Sequence, residues 1–239
     1  MKCEARLIAV TKPVGELSSL TPEGLIAYAA RVSSDNQDNP EYAGLLSYCI
    51  RNKHWSIFQM VNVLVEIEAP RDITRQFTRH SSLYTLGDPF EAPGFNFEYG
   101  GVQEFSQRYS DQIELTSREG RRQDDKNRQN STDDLSKEGR DTFNGLVKEM
   151  LDGGGIQGMH GLYRELRKLD VAKECARVFL PEGLTMSRLY VNGTLRSWLH
   201  YLEVRTGNGT QTEHVSLAEK IREVIAPTFP TIFGTQVNA

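Results

Sequence analysis

The chain lacks the patterns that mark several large classes of protein. No apolar run approaches the roughly 20 residues needed to cross a bilayer, so no membrane span is expected. Cysteine is scarce: Cys3, Cys49 and Cys175 are widely spaced and odd in number, which fits neither a disulfide framework nor a zinc knuckle. None stands next to an activating histidine, so thiolate catalysis is not expected. His54, His80, His160, His200 and His214 show no metal-ligand spacing, and no metal site is expected. There is no G-x-S-x-G elbow, no H-E-x-x-H and no Walker loop. Basic residues are outnumbered, 28 Lys+Arg against 32 Asp+Glu, for a formal net charge of −4. That balance argues against a duplex-DNA binder, which needs a broad basic face. A small anion needs only a few well-placed arginines.

The opening residues MKCEARLIAVTK have neither a sustained apolar core nor a small-residue cleavage site, so no signal peptide and a reducing cytoplasm are expected. Without secretion the glycosylation patterns at Asn130, Asn192 and Asn208 carry no weight. Gly153 to Gly158 satisfies G-x-G-x-x-G but follows a helix-like segment rather than a strand, so it reads as an interhelical turn.

What is present suits one domain spanning all 239 residues, with 38% hydrophobic and 25% charged residues. Ala5 to Thr11 reads as a first strand. Thr21-Pro22-Glu23 reads as an N-cap with proline at the first helical position, opening a helix through Val32. Asn39-Pro40-Glu41 repeats the signal and predicts a second helix to about Asn52. Val61, Val63, Val65 and Ile67 alternate with Asn62, Leu64, Glu66 and Glu68, a half-buried strand. Arg71 to His80 reads as a helix. Arg118 to Arg140 is charged and polar and reads as a solvated loop or frayed helix. Thr142 to Leu151 and the last third read as helical, with Leu195, Trp198, Leu199 and Leu202 forming one stripe and Arg196 and His200 sharing another face.

Residues 79–110 read RHSSLYTLGDPFEAPGFNFEYGGVQEFSQRYS. Two polar clusters flank an aromatic filler punctuated by glycine and proline. Around them, Arg75, Arg79, Arg108, Arg177, Arg196 and Arg205 lie in structured-looking segments, and guanidinium is a natural clamp for phosphate.

Gln76-Phe77-Thr78-Arg79-His80 followed by Gln103-Glu104-Phe105-Ser106-Gln107-Arg108 resembles the R-H-R-x-x-S-x-N-E-x-S-x-R signature of flavin-dependent thymidylate synthases, the ThyX family. Here an insertion, roughly Ser82 to Gly101, splits the signature. Ala29-Ala30-Arg31-Val32-Ser33, His54-Trp55-Ser56-Ile57-Phe58-Gln59, Cys175-Ala176-Arg177-Val178-Phe179-Leu180-Pro181, Leu195 to Arg205 and Gln211-Thr212-Glu213 are similar to further family segments. The likeness touches most of the chain except that insertion and a variable polar segment, about Arg118 to Gly161.

The resemblance implies an α+β fold, a single ThyX-like domain with an antiparallel or mixed sheet packed with helices, assembled as a homotetramer. It implies reductive methylation of dUMP to dTMP, with 5,10-methylenetetrahydrofolate as carbon donor and NADPH reducing bound FAD. It places dUMP on Gln76, Arg79, Glu104, Phe105, Ser106, Gln107, Arg108, Arg177 and Arg205. FAD falls to Ser33, Ser56, Arg79, His80, Ser81, Glu104, Thr194, Arg196 and His200. Catalytic roles fall to Arg205, Ser106 and Glu104. Arg205 suits a uracil carbonyl, where it would stabilise charge developing on the ring. Three positions depart from the pattern: Ser81 replaces an arginine, Gln103 an asparagine, and Thr194 a late asparagine. The alternative is a catalytically weakened nucleotide or flavin binder. An RNA-binding module using Tyr84, Phe90, Phe95, Phe97 and Tyr99 is disfavoured by the negative net charge. The insertion is expected to form a flap at the mouth of the site.

Overall fold

Strand β2, Asn62–Pro70, carries the sequence alternation into three dimensions: Val63, Val65, Ile67 and Ala69 are fully buried, while Glu66 and Glu68 face outward. The computed structural model describes residues 2–80, 101–152, 158–207 and 209–235. The expected flap over residues 82–100 and the site position Ser81 lie outside them, as does most of the glycine-rich turn.

β2 pairs on one side with β1, Glu4–Val10, through a register shift between Leu7 and Ala9. On its other side lies β6, Met186–Thr194, paired along its whole length from Asn62↔Thr194 to Pro70↔Met186. β3, Gly101–Glu104, adds to the far edge of β6. The order is β1-β2-β6-β3 and, among the described residues, every pairing is antiparallel, so the sheet is not mixed there.

β6 corrects the reading of the last third as helical. Its residues 186–194 bury Met186, Ser187, Leu189, Val191, Gly193 and Thr194 while Arg188 and Tyr190 point out. That is a period of two, interrupted at both ends by small polar residues.

The helices cover one face of the sheet. Thr21 caps α1, Pro22–Ala30, its hydroxyl accepting from Gly24 N at 3.0 Å as expected. The helix stops short of Val32, which is exposed. α2, Ala43–Arg51, starts later than Asn39-Pro40 suggested. Asn39 Oδ1 instead accepts from Glu41 N at 2.8 Å, an Asx turn in which the asparagine caps a bend and not a helix. α3, Arg71–Thr78, follows β2 directly. α4, Lys137–Asp152, α5, Met159–Lys168, and α6, Lys173–Ala176, follow the second, short pair of strands. α7, Leu195–Arg205, α8, Thr212–Ile225, and α9, Pro230–Thr235, close the chain.

Val63, Val65, Ile67, Leu189 and Val191 of the sheet pack with Leu195, Trp198 and Leu202 of α7 and Leu217, Ile221 and Ile225 of α8. Each such side chain contributes about 1.5–3 kcal/mol when fully buried. Trp198 also donates from Nε1 to Val63 O at 3.0 Å, so a buried indole is satisfied while tying helix to sheet. The opposite face is a charged ladder, with Arg6–Glu66 at 3.1 Å and Arg188–Glu68 at 2.6 Å. Among the described residues no helix is long and apolar enough to cross a membrane.

The polar stretch from Arg118 is neither a free loop nor a frayed helix. A short hairpin, β4 Arg122–Gln123 with β5 Ser131–Thr132, leads into α4. Arg118 grips Asp72 of α3 through two hydrogen bonds, at 2.6 and 2.9 Å, and Arg121 pairs with buried Glu213 of α8. Charge makes the segment look solvated in sequence, but Arg118 and Arg121 are spent on partners more than forty residues away.

Candidate active site

α3 sorts the site residues onto two flanks. At about 100° per residue, Arg71 and Arg75 share one side and Gln76 lies well round from them, with His80 just past the helix end. Ile73 and Phe77, fully buried, anchor the helix between the two.

The first flank meets Glu104 at the end of β3. Arg71 Nη1 lies 3.5 Å from its Oε1 and Arg75 Nη1 3.4 Å from its Oε2, while Ser187 Oγ donates to Oε1 at 2.8 Å. Burial lowers the Arg71 pKa, and Glu104 works against that. Arg75 also reaches Glu182 at 3.3 Å. Beyond them opens a cleft of about 330 Å³ lined by Arg71, Arg75, Gln107, Glu174, Arg177 and Glu182, with Val178 and Leu180. Gln107 is buried, and its Nε2 has no hydrogen-bond partner among the described residues. A buried amide donor left open beside three guanidinium groups fits an oxygen-rich anion. At the rim Arg108 is exposed and pairs with Glu174 at 3.5 Å, and Ser106 Oγ accepts from Arg108 N at 3.3 Å. Phe105 turns away, into a neighbouring cleft of about 460 Å³ with Met186, Arg188 and His160.

The second flank joins α3 to α7 and α8. The His80 ring lies 5.4 Å from His200 and 5.3 Å from Tyr201, edge-on to the latter. Gln76 Nε2 donates to Gln211 Oε1 at 2.7 Å, and Gln76 Oε1 lies 3.4 Å from His214 Nδ1. His214 Nε2 is 3.1 Å from the Tyr201 hydroxyl. Burial first, then His200 and Arg205, push the His80 pKa down to about 4. Burial, then Arg205 and His80, push His214 down to about 3. Both imidazoles are therefore neutral at pH 7. His80 Nε2 and Arg205 Nε are buried and have no hydrogen-bond partner among the described residues. Arg196 and His200 share the exposed face of α7, and Arg79 is exposed at the end of α3. Open polar atoms on neutral rings beside uncovered arginines fit a large anionic cofactor with a hydrogen-bonding ring system.

Other expected site residues are placed apart. Ser33 and Ser56 are exposed, beyond α1 and in the 3-10 turn Trp55–Met60, and neither hydrogen-bonds to the histidine cluster among the described residues. The Thr194 hydroxyl is buried and caps α7, accepting from Ser197 N at 3.2 Å. Sequence reading missed Arg71, Ser187, Tyr201 and His214. Arg71 could have been found from its i, i+4 spacing to Arg75. The others are isolated in sequence and meet their partners only through the fold. Among the described residues no cluster of three histidine, cysteine or acidic side chains could hold a metal.

A family profile described as thymidylate synthase complementing protein matches residues 16–231. The chain is 44% identical over 231 residues to a flavin-dependent thymidylate synthase of Synechocystis sp., covering 96% of this chain and 97% of that one. It is 43% identical over 231 residues to a probable flavin-dependent thymidylate synthase of Paramecium bursaria Chlorella virus 1, covering 95% and 96%. Its fold matches a UMP/dUMP methylase of Streptomyces cacaoi solved with 5-Br UMP, with a TM-score of 0.74 at 19% identity over 99% of this chain and 94% of that one. The chain belongs to the thymidylate synthase complementing protein family, that of the flavin-dependent thymidylate synthases.

Proposed function

We propose that this chain is a flavin-dependent thymidylate synthase that converts dUMP to dTMP, taking the carbon from 5,10-methylenetetrahydrofolate and reducing equivalents from NADPH. The observation that carries the reading is the arginine cleft, where Arg71, Arg75 and Arg177 surround the open amide of Gln107. Arg177 and Arg108 hold the phosphate, and Ser106 adds a hydroxyl donor. Glu104, fixed by Ser187 and Arg71, is the carboxylate available to the nucleotide on this flank. Arg205 donates to a uracil carbonyl and stabilises the negative charge that develops on the ring as C5 becomes nucleophilic. Gln76 and Arg79 complete the nucleotide pocket, whereas Phe105 lines the neighbouring cleft.

FAD, when bound, supplies hydride chemistry that no side chain can. Ser33, Ser56, Arg79, His80, Ser81, Glu104, Thr194, Arg196 and His200 would hold it. The neutral ring of His80 offers Nε2 for a hydrogen bond without adding charge. The homotetramer follows from the family likeness, and the two flanks of α3 support a site shared between copies, because one chain turns its anion cleft and its histidine cluster to different sides of that helix. A complete site is then assembled with α3 of a neighbouring copy.

Tritium release from [5-3H]dUMP with NADPH, FAD and methylenetetrahydrofolate tests the reading. Release that requires all three supports it. Binding of dUMP and FAD without release identifies a weakened binder, the reading favoured by Ser81, and absence of binding overturns both.

A further inference from the structure

The hydrogen-bond network around Gln76 has a direction, and a pure acceptor stands at its start. Glu213 is buried and its Oε1 is held by Arg121. Burial works to raise its pKa, but hydrogen bonds from Arg121, its own backbone and the Gln211 side chain outweigh that and hold it below the usual carboxylate range. Its Oε2 is buried and has no hydrogen-bond partner among the described residues. Gln211 presents its Oε1 to Gln76, which leaves its NH2 for the Glu213 side, where an ionised carboxylate only accepts. Gln211 Oε1 accepts from Gln76 Nε2 at 2.7 Å, which leaves Gln76 Oε1 facing His214 Nδ1 at 3.4 Å. Two acceptors cannot face each other, so Nδ1 carries the imidazole proton. Nε2 is then the acceptor, and the Tyr201 hydroxyl donates to it at 3.1 Å. His214 is fully buried, so no solvent competes for either nitrogen.

We propose that this chain of side chains, from Glu213 through Gln211, Gln76 and His214 to Tyr201, locks which way round the Gln76 amide faces the nucleotide. Gln211, His214 and Tyr201 are then positioning residues that select a uracil base over a 4-aminopyrimidine. The proposal rests on the reading of the chain as a dUMP enzyme. Gln76 keeps one N–H and one carbonyl lone pair outside the network. Together they match the imide edge of uracil, where N3–H donates and a carbonyl oxygen accepts. Cytosine offers the reverse, a bare N3 and a donating amine. A free glutamine could turn by half a rotation and serve either base. A locked one meets cytosine donor to donor and acceptor to acceptor, which leaves buried polar groups unpaired. Arg205 works in the same sense: its charge bears on His80, Tyr201 and His214, and a guanidinium offers only donors.

Calorimetry on the flavin-loaded protein compares dUMP with dCMP in the wild type and in His214→Leu, Gln211→Met and His214→Asn. The first two variants are expected to narrow the preference for dUMP about tenfold or more, mostly by weakening dUMP. His214→Asn keeps an N–H near the δ position and retains most of the preference. A full preference in His214→Leu and Gln211→Met, with only the thermal midpoint lowered, would make the network mere packing and overturn the proposal. Should the leucine variant fail to fold, Tyr201→Phe serves: a smaller narrowing supports the lock and none overturns it. Nitrogen-15 spectra of the wild-type imidazoles read the lock alone. His214 protonated on Nδ1 is expected, and protonation on Nε2 overturns it whatever the affinities. A wild type that binds neither nucleotide sinks the reading of the chain as a dUMP enzyme, and the selectivity assigned to the lock falls with it.

Discussion

Acid should unfold this protein through two buried histidines before its carboxylates matter. His80 and His214 are 8% and 0% exposed, with pKa values pushed down to about 4 and about 3. In the unfolded chain both titrate near 6.5. Between these values the unfolded state binds protons that the folded state refuses, so stability falls as pH drops below 6.5. The loss is complete only when pH passes the folded values. At pH 5 each histidine costs about 2 kcal/mol relative to pH 8, about 4 kcal/mol for the pair. The figure depends on the folded pKa values only in that both lie well below 5. That is a large share of the 5–15 kcal/mol of a typical domain. Carboxylates held low, such as Asp111 and Glu66, begin to contribute only nearer their unfolded values, about 4. Half-buried His160, also shifted down, adds a smaller slope of the same sign in every variant.

Urea unfolding of cofactor-free protein at pH 8, 7, 6 and 5 and one protein concentration measures this, since oligomer stability depends on concentration. His214→Asn and His80→Asn should each remove about half of the slope between pH 7 and 5, and the double variant nearly all of it. Because burial is the first cause at both sites, 0.5 M salt should leave most of the slope in place; a Coulombic origin at Arg205 would lose it to screening. A flat wild-type profile, or an unchanged slope in the double variant, refutes the reasoning.

Replacing Arg177 or Arg108 with alanine should weaken dUMP by about 1.5–3 kcal/mol and leave deoxyuridine untouched; equal losses for both ligands in calorimetry would contradict a phosphate contact. Ser187→Ala removes the 2.8 Å hydrogen bond to Glu104 and should lower kcat/KM about tenfold with little change in thermal midpoint; wild-type kinetics would show that the two arginines suffice. Light scattering should find a tetramer, and a fully active monomer would end the shared-site reading.

The helices and β2 were legible because their signals are local. A threonine followed by proline, or valine at every second position, acts on its own few residues. β6 was hidden for a physical reason. A strand in the middle of a sheet is stabilised by its neighbours on both sides, so Ser187, Asn192 and Gly193 can sit in it without local β preference. Asn39-Pro40 failed in the opposite way: asparagine offers the same oxygen to an Asx turn as to a helix start, and only the neighbouring backbone decides between them.

The site divides along the same line. Arg108 and Arg177 could be read from sequence because guanidinium signals its chemistry wherever it stands. Ser187, Tyr201 and His214 could not, because a serine in a strand and two rings on amphipathic helices are ordinary core residues until something is placed against them. What gives them meaning is long-range: Ser187 meets Glu104 across the pairing of β6 with β3, and His214 meets Gln76 where α8 packs by α3. Each partner is a residue the family likeness assigns to the nucleotide, so those residues hold the ligands while residues without a motif set their orientation. Substitutions at these supporting positions should therefore change selectivity or turnover with a smaller effect on phosphate affinity, whereas substitutions at Arg177 should do the reverse. A His214→Leu protein that loses affinity equally for dUMP and for inorganic phosphate would break that division, because the network does not touch the arginine cleft.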